Sequence, residues 1–317
     1  MKKKYVFEAG STIPIVLAGE YAEELSIYID NDGNQAFILP GWVVSRAVAE
    51  DTIFGKNLGL VIYRIPMEEA PKVDWDNPEV VDKIKRTYDQ LVWCPVNLLD
   101  SDGTLDGVTF DKKFGRRNFR KDEFSEEKFH EDFTEELRKQ CESVEKYGGF
   151  YITRYSISEG KRGKPTSVKG IKPWVKVNYP TALEIASKIE NTELVQSHLL
   201  YGAEYDSVLS WIIKSESKNY MEIIKDSTRF GNYWNSKISK HRLVITGKHE
   251  DWRVNNLYDF AGNNDEWTQE KCGENCRVLR GGDFYRDGNV YPAAIRSECY
   301  PNTKFNGTGL HASIFIK

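Results

Sequence analysis

Apolar residues occur along this chain in short runs. Residues 13–17 are apolar, 25–29 alternate, Asn31-Asp32-Gly33-Asn34 reads as a turn, and further apolar stretches follow at 36–40 and 42–44. This succession predicts several short strands within residues 5–45. Residues 58–65 are another strand candidate, and 66–78, with Pro66, Pro71 and Pro78, read as a connection. Residues 79–88 suit a short helix. Residues 91–96 form a compact apolar strand that should enter the main core, with Cys94 as a small buried apolar residue. Residues 99–122 are polar and glycine-rich, and Arg116, Arg117 and Arg120 are most simply a solvated face.

A helix is predicted from Ser125, a good N-cap followed by Glu126, Glu127 and Glu131. Phe129, Phe133, Leu137, Cys141 and Val144 fall on one stripe at helical spacing, Gly148-Gly149 ends it, and His130 lies off the stripe on the exposed side. Residues 150–155 then read as a strand and 159–172 as a Gly/Lys loop. A second helix follows Asn178, burying Ala182, Ile185, Ala186 and Ile189. A third carries Val208, Leu209, Trp211 and Ile212 into the core. Residues 214–250 are irregular and polar with scattered aromatics, and so long a loop usually serves function or is held by a ligand or ion.

The last fifty-odd residues organise the rest. Residues 257–267 (a tight bend, then a strand) precede a strand ending in Arg280-Gly281-Gly282, where two glycines permit a sharp turn. Residues 283–308 show almost no hydrophobic period. They do carry Phe284, Tyr285, Tyr291, Tyr300 and Phe305 among small and polar residues. Large rigid aromatics set among adaptable Ser, Asn and Gly are the composition of a binding surface. The plainer reading is that some of them, Phe284 and Tyr291 above all, pack under a long loop.

Bulk properties narrow the function. The 317 residues suffice for one large or two small domains, and the net charge of −4 with no long basic run argues against a nucleic-acid partner. No apolar run approaches the ~20 residues that span a bilayer. Met1-Lys2-Lys3-Lys4 starts like a signal peptide, but no apolar core follows, so no Sec-type export is expected. Five cysteines are an odd number and do not suggest a disulfide framework. Cys272 and Cys276 are expected in a loop, as a surface disulfide or two free thiols. His130, His198, His241, His249 and His311 are scattered, with no close helical pair.

The order Leu257-Tyr258-Asp259-Phe260-Ala261-Gly262-Asn263-Asn264-Asp265-Glu266-Trp267, Val278-Leu279-Arg280-Gly281-Gly282 and Ala293-Ala294-Ile295-Arg296 resembles the formylglycine-generating-enzyme (sulfatase-modifying-factor) family. Gly149–Tyr155, the helix after Asn178 and residues 199–206 extend the resemblance over roughly residues 90–317. Two details depart from the pattern: Tyr201-Gly202 replaces Pro-Thr, and Leu310-His311 stands where Phe-Arg is usual. The resemblance implies an α+β, C-type lectin-like domain with long irregular loops over residues 89–317, preceded by a small β-rich N-terminal unit at 1–88. It also implies a structural calcium ion held by Asp259, Gly262, Asn264 and Glu266. On the residues alone, Glu266 could instead pair with a core arginine such as Arg280 or Arg296 while Asp259 and Asn264 satisfy turn amides.

Catalysis by the family uses two cysteines that hold copper(I). The matching positions, near Gly288 and Ala293, carry no thiol, and Cys299 is alone. No copper and no catalytic residue are therefore expected. A narrower resemblance is to the variable proteins of diversity-generating retroelements, whose variable region follows the same RGG strand. In residues 283–308 only Glu298 and Lys304 fall outside the residue set such variation yields. On this reading Gly281, Gly282, Arg296 and Gly309 are scaffold. The ligand-binding residues are Tyr285, Arg286, Asn289, Tyr291, Ile295, Ser297, Cys299, Tyr300, Phe305 and Asn306. The partner is expected to be a protein or glycan on a cell or phage surface, with no nucleic acid and no membrane insertion. The chain is expected to be cytoplasmic when made and then assembled into a phage particle. The alternative is a formylglycine-generating-type oxidase acting on cysteine.

Overall fold

A computed structural model describes residues 3–7, 10–47, 59–96, 103–105, 108–110, 114–117, 119–120, 128–236, 238 and 241–317. The strand Gln90–Pro95 is buried along its whole length. Successive side chains leave a strand on opposite faces, and these divide accordingly. Val92 and Cys94 join one core with Ile152 and Trp211, while Leu91 and Trp93 join the other with Tyr151 and Ile314. Two covered faces explain why its sequence is a continuous apolar run and not an alternation.

This strand lies inside a six-stranded antiparallel sheet ordered Val195–Leu199, Ala312–Ile316, Gly149–Thr153, Gln90–Pro95, Val61–Tyr63 and Val43–Val44. Tyr151 marks the central register, opposite Trp93 on one side and Ile314 on the other. The expected division after residue 88 falls between two neighbours in this sheet, since Val61–Tyr63 pairs with Gln90–Pro95. Two ribbons, Lys4–Val6 with Thr12–Pro14 and Ser26–Ile29 with Gln35–Ile38, precede it. Ile27 and Phe37 of the second ribbon share a core with Trp93 and Tyr151.

The helices follow their caps. The expected short helix spans Pro78–Thr87, with Asn77 accepting the N–H of Glu79 at 2.9 Å. Tyr179–Ala186 starts at Asn178, whose Oδ1 accepts the N–H of Thr181 at 3.1 Å. Gly202–Lys214 opens with Glu204 reaching back to the N–H of Tyr201 at 2.8 Å.

The helix expected from Ser125 differs. Ser125 lies outside the described residues, Phe129–His130 is a strand, and the helix is Glu135–Tyr147. Thr134 caps it by accepting the N–H of Leu137 at 3.1 Å, and Glu135 and Glu136 occupy its positive first turn. The expected stripe is cut there: Leu137 and Val144 are buried, but Phe133 is 73% exposed. His130, expected to be exposed, is half-buried. Gly148, with φ 81°, ends the helix as expected.

A second sheet carries the C-terminal loops. Its centre is the hairpin Asp265–Cys272 and Cys276–Arg280, flanked by Phe129–His130 on one edge and Ser297–Cys299 on the other. Thr308–Gly309 runs parallel to the start of the hairpin, beside Asp265 and Glu266. Cys272 and Cys276 face each other directly across the hairpin, so they sit at strand ends and not in a loop. Both thiols are free.

Candidate functional site

Behind the C-terminal loops lies a buried ionic quartet. Arg280 Nη2 meets Asp206 Oδ1 at 2.7 Å, Arg280 Nη1 meets Glu270 Oε2 at 3.4 Å, and Arg296 Nε meets Glu270 Oε1 at 3.0 Å. Arg296 Nη2 closes the ring on the other Asp206 oxygen. Two positive and two negative groups, each at most 3% exposed in its side chain, thus face one another inside the fold, and Arg116 Nη1 adds a contact to Glu270 Oε1 at 3.5 Å. Each carboxylate bridges both guanidinium groups, which is the geometry that makes burial of charge tolerable. The expected pairing of Glu266 with Arg280 or Arg296 is corrected by this ring: both arginines belong to Asp206 and Glu270.

From Arg280 the chain turns through Gly281 (φ 89°) and Gly282 (φ 74°). A Cβ on Gly282 would meet the carbonyl oxygen of Tyr291 at 2.4 Å, so positive φ and close approach both demand glycine there. Asp283 then makes a tight side-chain turn, its Oδ1 accepting the N–H of Tyr285 at 2.9 Å. Gly307 lies against the same carboxylate, where a Cβ would come within 2.3 Å of Asp283 Oδ2. Its carbonyl accepts the N–H of Asp265 at 2.7 Å. These contacts bring Asp265 and Asp283 to the floor of a cavity of about 1110 Å³.

Eight of the ten expected binding residues line this cavity: Tyr285, Arg286, Tyr291, Ile295, Ser297, Cys299, Phe305 and Asn306. Asn289 and Tyr300 are exposed but do not line it. Of the five aromatics in the segment, Tyr285, Tyr300 and Phe305 are 51%, 68% and 54% exposed, whereas Phe284 is buried and Tyr291 half-buried. Sequence reasoning missed Asp265, Asp283, Val290, Phe129 of the edge strand and Lys128 just before it, all of which line the cavity. Only the folded chain brings residues 128–129, 265 and 283–308 together. Trp234, from the irregular 214–250 span, also reaches this side: its N–H donates to the carbonyl of Arg286 at 2.8 Å and its ring stacks on His241.

The floor is electrostatically unusual. Burial pushes the Asp265 carboxyl well above the usual carboxylate range, and the charge of Asp283 pushes it further. Burial raises Asp283 as well. Arg286 counters both, but its guanidinium lies over the Tyr291 ring, 4.6 Å from the centroid, and donates to Tyr291 Oη at 3.1 Å.

The four residues expected to hold calcium are engaged mostly with other protein groups. Asp259 Oδ1 accepts the side-chain amide of Asn263 at 3.2 Å and its Oδ2 the N–H of Gly247 at 3.3 Å. The Gly262 carbonyl accepts the N–H of Asn264 at 2.8 Å, and Asn264 Oδ1 accepts the hydroxyl of Ser156 at 3.1 Å. Glu266 Oε1 is hydrogen-bonded to His311 Nδ1. Calcium asks for six to eight oxygens converging on one point. Here Asp259, the Gly262 carbonyl, Asn264 Oδ1 and one Glu266 oxygen are each engaged with a separate protein partner, an imidazole at the glutamate, and only Glu266 Oε2 has none. Burial pushes Asp259 up to about 7 and raises Glu266. Among the described residues no group of three or more His, Cys, Asp or Glu side chains is placed to hold a metal ion.

The architecture is thus a mixed helix-and-sheet protein whose glycine-pinned C-terminal loops enclose an open, aromatic-rimmed cavity. Solved structures similar to it include Treponema denticola variable protein 1, with 14% identity, a TM-score of 0.38 and coverage of 52% of this chain and 84% of that one. PvdO from Pseudomonas aeruginosa matches at 14% identity and a TM-score of 0.39, covering 53% of this chain and 81% of its own. CarF matches at 15% identity and a TM-score of 0.36, covering 53% and 87% respectively. No family model and no curated protein matches the sequence. Among the described residues, no helix is long and apolar enough to cross a membrane.

Proposed function

We propose that this chain is a non-catalytic binding protein that captures a protein or glycan on a cell or phage surface, using a C-type lectin-like scaffold. The observation that carries the reading is the cavity of about 1110 Å³ walled by residues 283–308 and rimmed by half-exposed Tyr285 and Phe305. Aromatic side chains give large contact area at low entropy cost, and a few central ones dominate most interfaces. A surface of this kind can bury ~800 Å² on its own side. The division of labour within the segment supports the same reading. Gly282, Arg296 and Gly307 hold the frame, while Tyr285, Tyr300 and Phe305 project from it. Such a frame suits a surface diversified by a retroelement, in a prophage-encoded receptor-binding or adhesion role.

A cysteine oxidase of the formylglycine-generating type is the alternative. It is disfavoured because Gly288 and Ala293 stand where the copper-binding thiols would be. Cys299 is also a buried thiol, pushed further from the thiolate by its burial. The test measures adhesion of the purified chain to whole bacterial cells and to an array of immobilised glycans. The double variant Tyr285→Ala/Phe305→Ala should lose at least about tenfold in affinity while keeping its unfolding midpoint. A folded double variant that adheres as well as the parent defeats the proposal. Stoichiometric copper(I) binding with conversion of a cysteine peptide to formylglycine establishes the oxidase instead.

A further inference from the structure

We infer that Cys272 and Cys276 are a reversible thiol–disulfide pair, closed across the hairpin of the second sheet by exchange with a small-molecule disulfide of the glutathione type. The inference is independent of what the cavity binds.

The two residues are direct register partners, with Gly273, Glu274 and Asn275 as the turn between them. Gly273 sends its N–H to the carbonyl of Lys128 at 2.9 Å, on the outer side of its strand. Backbone groups alternate in direction along a strand, so Cys272 directs its own towards Cys276. A pair hydrogen-bonded in this way has its Cα atoms about 5.5 Å apart, inside the roughly 4.4–6.8 Å that a disulfide spans. Residues directly opposite each other also share a face of the sheet. Here both join the small apolar cluster of Phe129 and Val278. Cys299 stands opposite Arg277, one residue out of step with Cys276, and packs in a different core. It therefore faces away from the pair.

Exposure sets the order of events. Cys276 is half-buried and Cys272 is buried. The Cys276 thiolate attacks one sulfur of the incoming disulfide and expels the first glutathione as its thiolate. Cys272 then gives its proton to solvent and attacks Cys276 Sγ, which closes the pair and expels the second glutathione. The two cysteines lose two electrons and two protons, and the glutathione disulfide gains them as two thiols. Burial first, and the charge of Glu298 second, push the Cys272 thiol up to about 11, so closure is the slower step. Only Gly273, Glu274 and Asn275 lie inside the loop. Closing so short a loop removes little entropy from the unfolded chain, which suits a link that can be reopened. The link also bears on the cavity wall. Cys272 is the register partner of Phe129, and Glu298, paired with Lys128 at 2.5 Å, is the register partner of Val278. Phe129, Lys128 and Glu298 all line the cavity.

The experiment incubates the folded full chain with oxidised glutathione, quenches with acid, unfolds and alkylates the remaining thiols, and maps them by mass spectrometry. Cys272 and Cys276 should escape alkylation together, joined to each other and carrying no glutathione. Reduced glutathione should return both. Cys272→Ser should trap glutathione on Cys276, and Cys276→Ser should leave Cys272 at least about tenfold slower to react than Cys276 is in the parent. On oxidation the amides of Phe129, Glu274 and Glu298 should shift, while those of Tyr151 and Ile314 in the first sheet stay in place. The inference is overturned if both thiols of the folded parent remain free, if glutathione stays on Cys276 of the parent without being displaced, if either cysteine joins Cys299 instead, or if the link forms only in denaturant.

Discussion

His311 Nδ1 is hydrogen-bonded to the carboxylate of Glu266, with both side chains almost wholly enclosed. The pair links the start of the second sheet to the strand end leading into Ala312–Ile316 of the first. Glu266 has little else: its second oxygen has no partner. Removing the imidazole therefore leaves a buried carboxylate alone, which typically costs about 3–5 kcal/mol. His311→Ala should lower the urea midpoint by a corresponding amount. Because Asp259 and Asn264 Oδ1 already accept protein donors and His311 stands at Glu266, calcium should not raise the parent's melting temperature, and a chelator should not lower it. A calcium-dependent midpoint in the parent would show that the bend holds the metal after all.

Glu131 gives a pH signature. It is enclosed at the start of the helix Gly202–Lys214, accepting the N–H of Ala203 at 3.3 Å. Burial first, and the charge of Glu270 second, push its carboxyl up to about 8. The unfolded chain ionises this group near its ordinary value of 4.5, so between these two limits the folded state holds a proton that the unfolded state has lost. Stability from this group therefore falls as pH rises across that window and levels off above it. The full effect is roughly 5 kcal/mol. Glu131→Gln should flatten the decline, with its largest relative gain near pH 8 and almost none near pH 4. Denaturant titrations of both proteins across the window would reveal a parallel pair of curves if the assignment is wrong.

The quartet predicts an asymmetry between its members' removal and its replacement. Asp206→Ala strips one partner from both Arg280 and Arg296 and should destabilise by more than about 3 kcal/mol. Asp206→Asn keeps an acceptor for one guanidinium group, turns its amide nitrogen, itself a donor, on the other and loses the charge, and should fall between. Since Arg296 lines the cavity, both variants should also disturb ligand capture there. Unfolding curves of the three proteins, combined with the amide shifts of Ser297 and Glu298, would separate the two effects. A change in stability without any movement of those amides would mean that the quartet does not position the loop.

Much of this could be read from the chain. The glycine pair ending the Arg280 strand, the doubly buried strand at 90–95 and the helix after Asn178 each follow from local chemistry that the fold respects. The start of the helix at Glu135 did not, because Ser125 offered a good cap upstream and the apolar spacing continued through Phe129 and Phe133. Sheet pairing with Lys271 and Cys272, far along the chain, took Phe129 and His130 instead. A tight hairpin turn put Cys272 and Cys276 opposite each other at strand ends. The aromatic rim was legible as composition. The acidic floor was not, since Asp265 and Asp283 acquire their joint meaning only when Gly307 is laid against Asp283 and bonded to Asp265.

Arg296 lies in the middle of the display segment yet belongs to the scaffold, bound to Asp206 and Glu270. The segment is therefore less a free loop than a strap riveted at Gly282, at Arg296 and at Gly307. Between rivets its exposed side chains, such as Tyr285, Tyr300 and Phe305, should be exchangeable while the path of the backbone stays the same. A library built on this protein should accordingly tolerate new letters between those points, and collapse when the rivets themselves are rewritten.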